Sequence, residues 1–158
     1  MLAEEKFIKN AVEEACRGVE SGDGGPFGAV VVKDGEIIAV AHNEVLKSND
    51  PTAHAEVTAI RRACRALNTF NLSGCQLYAS CFPCPMCMSA CLWARIDLLV
   101  YGASGDQAAD VGFDDTAFYE FIKGTNSSTM CVRKAETDSE EVGKPFKVWQ
   151  KKENKIPY

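Results

Sequence analysis

The sequence predicts an α/β domain in which a mixed β-sheet is covered on both faces by helices. Two β-rich runs at residues 27–33 and 36–43 are joined by Asp34-Gly35, which is a strong signal for a two-residue hairpin turn. From residue 54 onwards, helical and extended patterns alternate along the chain, as they do when parallel strands are linked by helical crossovers. A chain of 158 residues has the length of one ordinary domain. We therefore expect residues 1–158 to form a single α/β domain.

Apolar spacing and turn residues predict the individual elements. Apolar residues recur at helical spacing from Phe7 to Val19, so a first helix should end near Gly22. The apolar run Leu98–Ala103 indicates a fully buried strand. The further strands are expected at residues 76–80 and 130–135, and the further helices at residues 54–67, 85–94, 106–110, 116–122 and 144–155.

The charge balance limits the class of partner. Acidic residues outnumber basic residues by 22 to 17, which gives a net charge of −5. Binding to nucleic acid relies on a basic surface that neutralises phosphates, so we expect no nucleic-acid partner. The one basic cluster, Lys151-Lys152 with Lys155, lies beside Glu153 and is more typical of a solvated helix face. A small, weakly polar substrate therefore fits this chain better than a polymer does.

Composition also predicts the cellular compartment. No apolar run approaches the roughly 18 residues that a membrane span needs, so we expect no membrane partner. The segment Met1–Lys6 is too acidic and polar for a secretory signal. Several of the eight cysteines, such as Cys16, Cys64 and Cys75, lie inside helical or strand patterns, where reduced thiols act as small apolar residues. We expect a reduced, cytoplasmic protein.

Two short motifs supply three metal ligands and a carboxylate that is not needed as a ligand. His54 and Glu56 lie in the segment Pro51–Glu56, and Cys84 and Cys87 follow after one helix and one strand. Zinc in catalytic sites typically takes three protein ligands and leaves a fourth position for water. The ion lowers the pKa of that water from about 15.7 towards about 7, which provides a nucleophile at neutral pH. Glu56 can then transfer protons between the water and a substrate.

The spacing of these residues predicts that they lie at helix starts. Pro85 directly follows Cys84, and proline is favoured at the first helical position, so Cys84 should cap a helix with Cys87 one turn inside it. His54 and Glu56 are two residues apart and do not share a helix face. They can serve one site only from the first turn of a helix, for which Thr52 is a plausible cap.

A structural zinc site or a redox pair is the alternative interpretation of the two cysteines. A Cys-x-x-Cys sequence by itself is common in both kinds of site. Cys81 and Cys91 lie close enough in sequence to complete a closed four-ligand site. Glu56 would have no role in a closed site, so we favour a catalytic site, with Cys81 as a buried turn thiol and Cys91 as a core residue.

The motifs together resemble a known family. His-x-Glu followed by Pro-Cys-x-x-Cys is the general signature of zinc nucleobase deaminases. The chain resembles the cytidine deaminase-like superfamily, and within that superfamily it is similar to guanine deaminases. One residue departs from the family pattern, because Phe82 stands where the family often has Glu. The most specific marks are the segments Gly24–Val30, Asn49–Ile60, Cys84–Cys87 and Gly112–Asp115.

The resemblance implies a three-layer α/β/α sandwich with a central mixed β-sheet, and it implies roles for residues that spacing alone leaves open. Phe27 is similar to a base-stacking wall, although by itself it could be ordinary core. Asn43 is similar to an amide that donates to and accepts from a purine edge, although from position alone it could be a turn residue. Trp93 is similar to a pocket aromatic. The helix-start amides near Ala55 and Cys84 would stabilise a tetrahedral intermediate.

Residues in the last third of the chain indicate which nucleobase the implied enzyme acts on. Paired acids such as Asp114-Asp115 are more often helix caps than catalysts. In guanine deaminases a carboxylate in this motif faces the base, and Asp115 is the closer match. Guanine presents an N1–H and an exocyclic amine, which a carboxylate complements. Tyr158 is similar to an aromatic residue that closes the pocket of a neighbouring chain, although last residues are usually frayed.

These features predict an enzyme that deaminates guanine to xanthine and ammonia. The resemblance implies one Zn²⁺ per chain on His54, Cys84 and Cys87, with Glu56 and Asp115 as catalytic residues. It also implies a homodimer, in which the segment at about 136–158 could be exchanged between subunits. A guanosine deaminase, a transfer-RNA adenosine deaminase and a structural-zinc interaction domain are the alternatives.

Overall fold

The computed structural model describes residues 3–125, 130–135 and 139–156. Each predicted helix and all but one of the predicted strands are present in this part of the chain. The elements in chain order are α1 (Ala3–Glu20), β1 (Gly28–Lys33), β2 (Glu36–His42), α2 (Val45–Ser48), α3 (Ala55–Leu67), β3 (Cys75–Cys81), α4 (Pro85–Trp93), β4 (Leu98–Ala103), α5 (Gly105–Ala109), α6 (Thr116–Lys123) and α7 (Ser139–Lys151).

The sheet is mixed, as the sequence predicts. Its strand order is β2-β1-β3-β4, with β1 antiparallel to both β2 and β3, and β3 parallel to β4. The predicted hairpin turn joins β1 to β2, and both turn residues, Asp34 and Gly35, have positive φ. Asp34-Gly35 therefore has the backbone that a two-residue hairpin needs.

Helices cover both faces of the sheet, because side chains of β1 alternate between two separate cores. Val30 and Val32 pack with Phe7, Ala11 and Tyr78 beneath α1. The alternate residues of β1 face α3 and α4 in the larger core, which contains Ala29, Val31, Ala41, Ala55, Ala59, Ala63, Leu77, Ala79 and Cys91. The period of two along a strand thus produces the predicted three-layer arrangement.

The topology brings distant segments to one edge of the sheet. Since β2 and β3 are both antiparallel to β1, they run in the same direction, and β4 is parallel to them. The ends of these three strands and the start of β1 therefore lie at the same edge. Ligands in open α/β sheets bind beyond the carboxyl ends of strands, so this edge is where a site is expected.

Two strand predictions are wrong. The strand β4 is not fully buried: it is the last strand of the sheet, and the exposed fractions of Leu98 and Tyr101 are 41% and 48%. Residues 130–135 do not form a strand, so no neighbour covers β4 on that side in the described chain. An apolar run indicates that a strand will be covered, but it does not distinguish a cover within the chain from a cover provided by another chain.

The terminal helix differs from its predicted bounds. The prediction placed it at residues 144–155, whereas α7 runs from Ser139 to Lys151. Pro145 lies inside this helix, although proline usually marks a first helical position, and the predicted start was therefore too late. The short helix α2 was not predicted, since four residues are too few for a periodic signal.

Two further observations concern composition. All eight cysteines belong to described residues, and each is a free thiol. Among the described helices, none combines the length and apolar character that a membrane crossing requires.

Candidate metal centre and substrate cleft

The predicted metal ligands meet at the starts of two helices. His54 is the N-cap of α3 and Cys84 is the N-cap of α4, and both have extended backbone with ψ of 157° and 167°. Pro85 occupies the first turn of α4, as predicted, and Cys87 lies one turn inside it. The Nδ1 atom of His54 is 3.5 Å from the sulfur of Cys84 and 3.5 Å from the sulfur of Cys87.

These distances fit a tetrahedral zinc site. Zn–S and Zn–N bonds of about 2.3 Å and 2.05 Å at a tetrahedral angle place a nitrogen and a sulfur ligand about 3.6 Å apart. The observed nitrogen–sulfur distances agree with this expected separation. The ligand atoms of all three residues also lie within 4.8 Å of one another. The side chains of His54, Cys84 and Cys87 could therefore hold a zinc ion.

A fourth protein ligand is not provided by the nearby cysteines. Among the residues that the structure describes, the group at this site comprises His54, Cys84 and Cys87. The thiol of Cys81 instead donates to the carbonyl of Ser104 at 3.4 Å, and Cys91 belongs to the core. A zinc ion held by these three residues would keep a fourth position for water, as catalytic zinc sites do and structural zinc sites do not.

The start of α3 differs from its predicted form in one respect. The hydroxyl and the amide of Thr52 both donate to the Asp50 carboxylate, at 2.7 Å and 2.8 Å. Thr52 is therefore part of a turn, and the predicted cap at this residue is wrong because His54 occupies the N-cap. His54 makes no side-chain capping bond, so its ring can face Cys84 and Cys87.

The two thiols at the site are coupled. A hydrogen bond with Cys87 lowers the pKa of Cys84 to about 4, and His54 acts in the same direction. The same hydrogen bond and burial raise the pKa of Cys87. One thiolate is thus shared by the pair, and a cation beside both sulfurs would favour the thiolate form of each, which is the form that binds metal.

Glu56 lies behind the ligands at the wall of the cleft. It follows His54 by two residues in the first turn of α3, and only 6% of it is exposed. Burial raises the pKa of its carboxyl group, which disfavours the charged form. A buried carboxyl with a raised pKa next to a metal site has the properties of a group that accepts and releases protons.

A cleft of about 660 Å³ opens in front of these residues. This volume is typical of a small-molecule site. Phe27 lines the cleft, and its ring packs edge-on against Phe113 with centroids 5.0 Å apart. Polar and apolar side chains together line the cleft; the lining includes His54, Glu56, Cys84, Asp114, Asp115, Phe82, Met86, Phe118 and Ile122.

The adjacent acids Asp114 and Asp115 have different roles. Asp114 accepts the amide of Thr116 at 3.0 Å, and this bond lowers the pKa of its carboxyl. Asp115 is the N-cap of α6, but its side chain makes no capping bond. Burial raises the pKa of Asp115, and the nearby Cys84 thiolate acts in the same direction. The carboxyl group of Asp115 is therefore available to a ligand in the cleft.

Asn43 and Ala55 lie at the same edge of the sheet but do not line the cleft surface. Asn43 is 4% exposed, and its carbonyl oxygen accepts the amides of Gly25 and Val45 at 3.3 Å and 3.1 Å. It is a turn residue, as position alone suggested, and its orientation is fixed. Ala55 is fully buried at the first position of α3, where amides have no partner within the helix.

The remaining two predicted residues are not brought to the cleft. Trp93 ends α4, is 66% exposed and lies away from the cleft of its own chain. Tyr158 lies outside the described residues. His42, which the sequence left as a satisfied strand-end histidine, is buried and hydrogen-bonded to two carboxylates.

The sequence did not identify an aromatic group that supports the metal-binding turn. Tyr119 donates to the carbonyl of Pro83 at 2.6 Å, one residue before Cys84. Its ring lies 6.1 Å from that of Phe82, which in turn packs edge-on against Tyr101 at 5.0 Å. Helical spacing could have indicated this contact, because Tyr119 follows Asp115 by four residues and shares its helix face.

The chain belongs to the cytidine and deoxycytidylate deaminase family: the model of the family's zinc-binding region matches residues 1–103. The family predicted from the sequence is thus confirmed, and it defines the chain as a hydrolytic, zinc-binding deaminase. Over 154 residues, 98% of each chain, it is 49% identical to guanine deaminase of Bacillus subtilis (strain 168).

Solved structures confirm the fold. The X-ray structure of the Bacillus subtilis guanine deaminase superposes with a TM-score of 0.90 over 98% of both chains, at 49% identity. A second structure, in complex with 2,6-diaminopurine, is 34% identical with a TM-score of 0.68, over 73% of this chain and 64% of that one. The tRNA-specific adenosine deaminase of Aquifex aeolicus is also 49% identical, but over 102 residues, 65% of this chain and 67% of that protein.

Proposed function

We propose that this enzyme hydrolyses guanine to xanthine and ammonia. The observation that supports the substrate is the Asp115 carboxyl group, which faces the cleft without a capping bond while Asp114 takes the capping role. A carboxylate accepts hydrogen bonds from the N1–H and the exocyclic amine of guanine together. Near full-length similarity to a guanine deaminase supports the same substrate.

Zinc is the cofactor that the donor set fits, at one ion per chain. His54 would provide one nitrogen ligand, and Cys84 and Cys87 would provide two sulfur ligands. When bound, zinc supplies Lewis-acid activation of water. The two thiolates balance the charge of a divalent ion, and the helix starts that hold Cys84 and His54 favour anionic groups and developing negative charge.

Glu56 is the group that moves protons. Its burial and raised pKa keep the proton affinity of the carboxyl high, so that it can take a proton from the attacking water. It then delivers that proton to N3 of the base as water adds to C2. The second proton of the added water passes from the C2 hydroxyl group to the amino group as the C2–N bond breaks and the C2 carbonyl forms. One water is thus consumed, ammonia is released and Glu56 is again in its starting state.

Asp115 and three further residues bind and orient the base. Asp115 accepts the N1–H and assists the protonation of the departing amine. Phe27, held edge-on by Phe113, provides a flat apolar wall for the purine ring. The oxygen of Asn43 is occupied by two backbone amides, which directs its amide donor group towards the purine edge. The amide of Ala55, at the start of α3, stabilises developing negative charge.

We further propose a homodimer with an exchanged C-terminal segment at about residues 136–158. The outer surface of α4 and β4 is apolar and exposed at Leu92, Trp93, Leu98 and Tyr101. Helix α7 likewise exposes Phe146, Val148 and Trp149, although buried apolar area is what stabilises a helix. In such a dimer Trp93 and Tyr158 would reach a cleft across the interface.

Residues 1–158 would form one deaminase domain per chain. The charge balance and the reduced cysteines favour a cytoplasmic enzyme without a nucleic-acid partner.

A substrate panel tests the proposal. We expect ammonia release from guanine and much less from guanosine, cytosine, cytidine and adenine, with one zinc bound per chain. Faster turnover of guanosine than of guanine would show that the substrate is the nucleoside and not the free base. Salt-dependent binding of a tRNA with adenosine turnover would instead support the RNA-editing alternative. Zinc without turnover of any base would indicate a structural-zinc domain, and light scattering would measure the oligomeric state.

A further inference from the structure

A buried ion network lies beside the proposed base-binding residues, at the opposite side of the sheet edge from the metal ligands. At its centre is His42, the last residue of β2, which is 8% exposed. Its Nδ1 atom is 2.7 Å from Glu14 Oε1 on α1, and its Nε2 atom is 2.7 Å from Asp23 Oδ2. One side chain therefore connects a strand, a helix and the turn that precedes β1.

The ring of His42 is held at both of its nitrogen atoms. Each nitrogen lies at hydrogen-bond distance from a carboxylate oxygen, one on α1 and one in the turn before β1. The outer oxygen of Glu14 pairs with Arg17 at 2.7 Å, and Asp23 pairs with Lys47 at 3.0 Å. Buried charges of this kind persist when each is paired.

Two glycines leave space for this arrangement. A Cβ atom at Gly18 would lie 2.7 Å from the ring of His42, closer than side chains pack. A Cβ atom at Gly24 would collide with the side-chain oxygen of Asn43. Glycine at both positions therefore lets α1 approach the ring and lets the turn approach Asn43.

The network continues directly into the turn that holds Asn43. Asp23 begins the segment 23–25, and its carbonyl oxygen accepts the amides of Leu46 and Lys47, both at 3.0 Å. Two residues later, the amide of Gly25 donates to Asn43, which follows His42 in sequence. The hydrogen bond between Gly25 and Asn43 orients the Asn43 amide. His42 fixes both partners of this bond, because it binds Asp23 in the turn and directly precedes Asn43 in the chain.

We propose that His42 is a positioning residue: its hydrogen bonds with Glu14 and Asp23 fix the 23–25 turn and the Asn43 side chain for binding of the purine base. This inference rests on the proposed role of Asn43. In that proposed role Asn43 binds the base both before and during the reaction, so a loss of its orientation would reduce binding of substrate and transition state alike. Such a loss raises KM and leaves kcat nearly unchanged.

Substitution of His42 tests the proposal. In H42Q a single amide can keep only one of the two bonds, and we expect KM for guanine to rise about tenfold with kcat changed less than about threefold. E14Q should raise KM in the same direction by a smaller factor, and it provides a second variant if H42Q fails to fold. E13Q is the matched control, since the neighbouring Glu13 is exposed and pairs with Lys9 at 3.8 Å, away from His42.

Amide hydrogen exchange gives a readout that does not depend on turnover. We expect the amides of Gly25 and Val45 to exchange about tenfold faster in H42Q than in the wild type and E13Q, without substrate present. Unchanged exchange at both amides, or a fall in kcat at constant KM, would overturn the positioning role. If the wild type does not turn over guanine, the proposed function fails, and the exchange rates still decide whether His42 holds this turn.

Discussion

The first 103 residues and the segment that follows them differ in how they are stabilised. In the described chain, every buried apolar core residue lies at or before Ala94. Helices α5 and α6 have no buried residue, and Phe118, Ile122 and the apolar residues of α7 are largely exposed. The family model ends at residue 103, nine residues after that last core residue and before α5.

This difference separates the candidate metal ligands from Asp115. All three candidate ligands and Glu56 belong to the packed part, on helices that bury their inner faces against the sheet. Asp115 belongs to the loosely packed part and reaches the cleft from the start of α6. Four experiments test this difference.

The largest expected effect is on turnover in the packed part. Glu56→Gln keeps the shape of the side chain but removes its ability to accept a proton, and we expect kcat to fall about a thousandfold. Zinc content should stay at the wild-type level, because Glu56 is not one of the three candidate ligands. Ammonia release and metal analysis on the same preparation measure both quantities. Ordinary activity in this variant would exclude Glu56 as the proton carrier.

The next effect is on stability. Leu77 is fully buried in the core, and Leu77→Ala should reduce the free energy of unfolding by about 3 kcal/mol. Ile122 on α6 is 70% exposed, so Ile122→Ala should change it by less than about 0.5 kcal/mol. Urea unfolding of both variants measures the contrast. An Ile122→Ala cost that grows with protein concentration would show that a second chain covers α6.

A smaller effect on turnover is expected in the loosely packed part. Asp115→Asn keeps the side-chain volume but cannot accept the N1–H and assist amine departure as a carboxylate does, so kcat/KM for guanine should fall about a hundredfold. Asp114→Asn is the matched control, since Asp114 is occupied by the amide of Thr116. Equal losses in the two variants would contradict the separate roles of these acids.

The smallest effect concerns the pH dependence of stability. The bond from Thr116 lowers the pKa of Asp114 below its ordinary value of 3.8, so the unfolded chain binds a proton more readily than the folded one. Asp114 therefore stabilises the fold above pH 3.8, and this contribution is lost as the pH falls through the lower folded pKa. Asp114→Ala should differ from the wild type most at neutral pH and converge with it in acid, as measured by unfolding at several pH values. A constant difference would indicate that the carboxylate charge contributes nothing.

Local features of the sequence were sufficient for several parts of the site. Pro85 after Cys84 predicted the start of α4, and that start has the predicted cap. The two-residue separation of His54 and Glu56 predicted a first-turn position, and both lie there. These predictions succeed because a helix start is defined by backbone groups within one turn of it.

Other predictions failed where the partner is distant in sequence. Leu98–Ala103 has the composition of a central strand, yet β4 is at the sheet edge because residues 130–135 do not pair with it. Thr52 has the chemistry of a cap, but the carboxylate of Asp50 binds its hydroxyl instead. The composition of a segment shows that the segment needs a packing or hydrogen-bonding partner. It does not show which residues are that partner.

The sequence by itself determined the ligand types, the carboxylate beside them and the helix starts that hold them, because these depend on residue chemistry and on spacing within a few residues. Only the tertiary structure decided that Phe27 and Asp115 line one cleft with the candidate ligand His54, that Tyr119 donates to the carbonyl of Pro83 beside Cys84, and that His42 joins α1 to the turn before β1. Those relations depend on the shared direction of β2, β3 and β4, which brings their ends together across a separation of many residues.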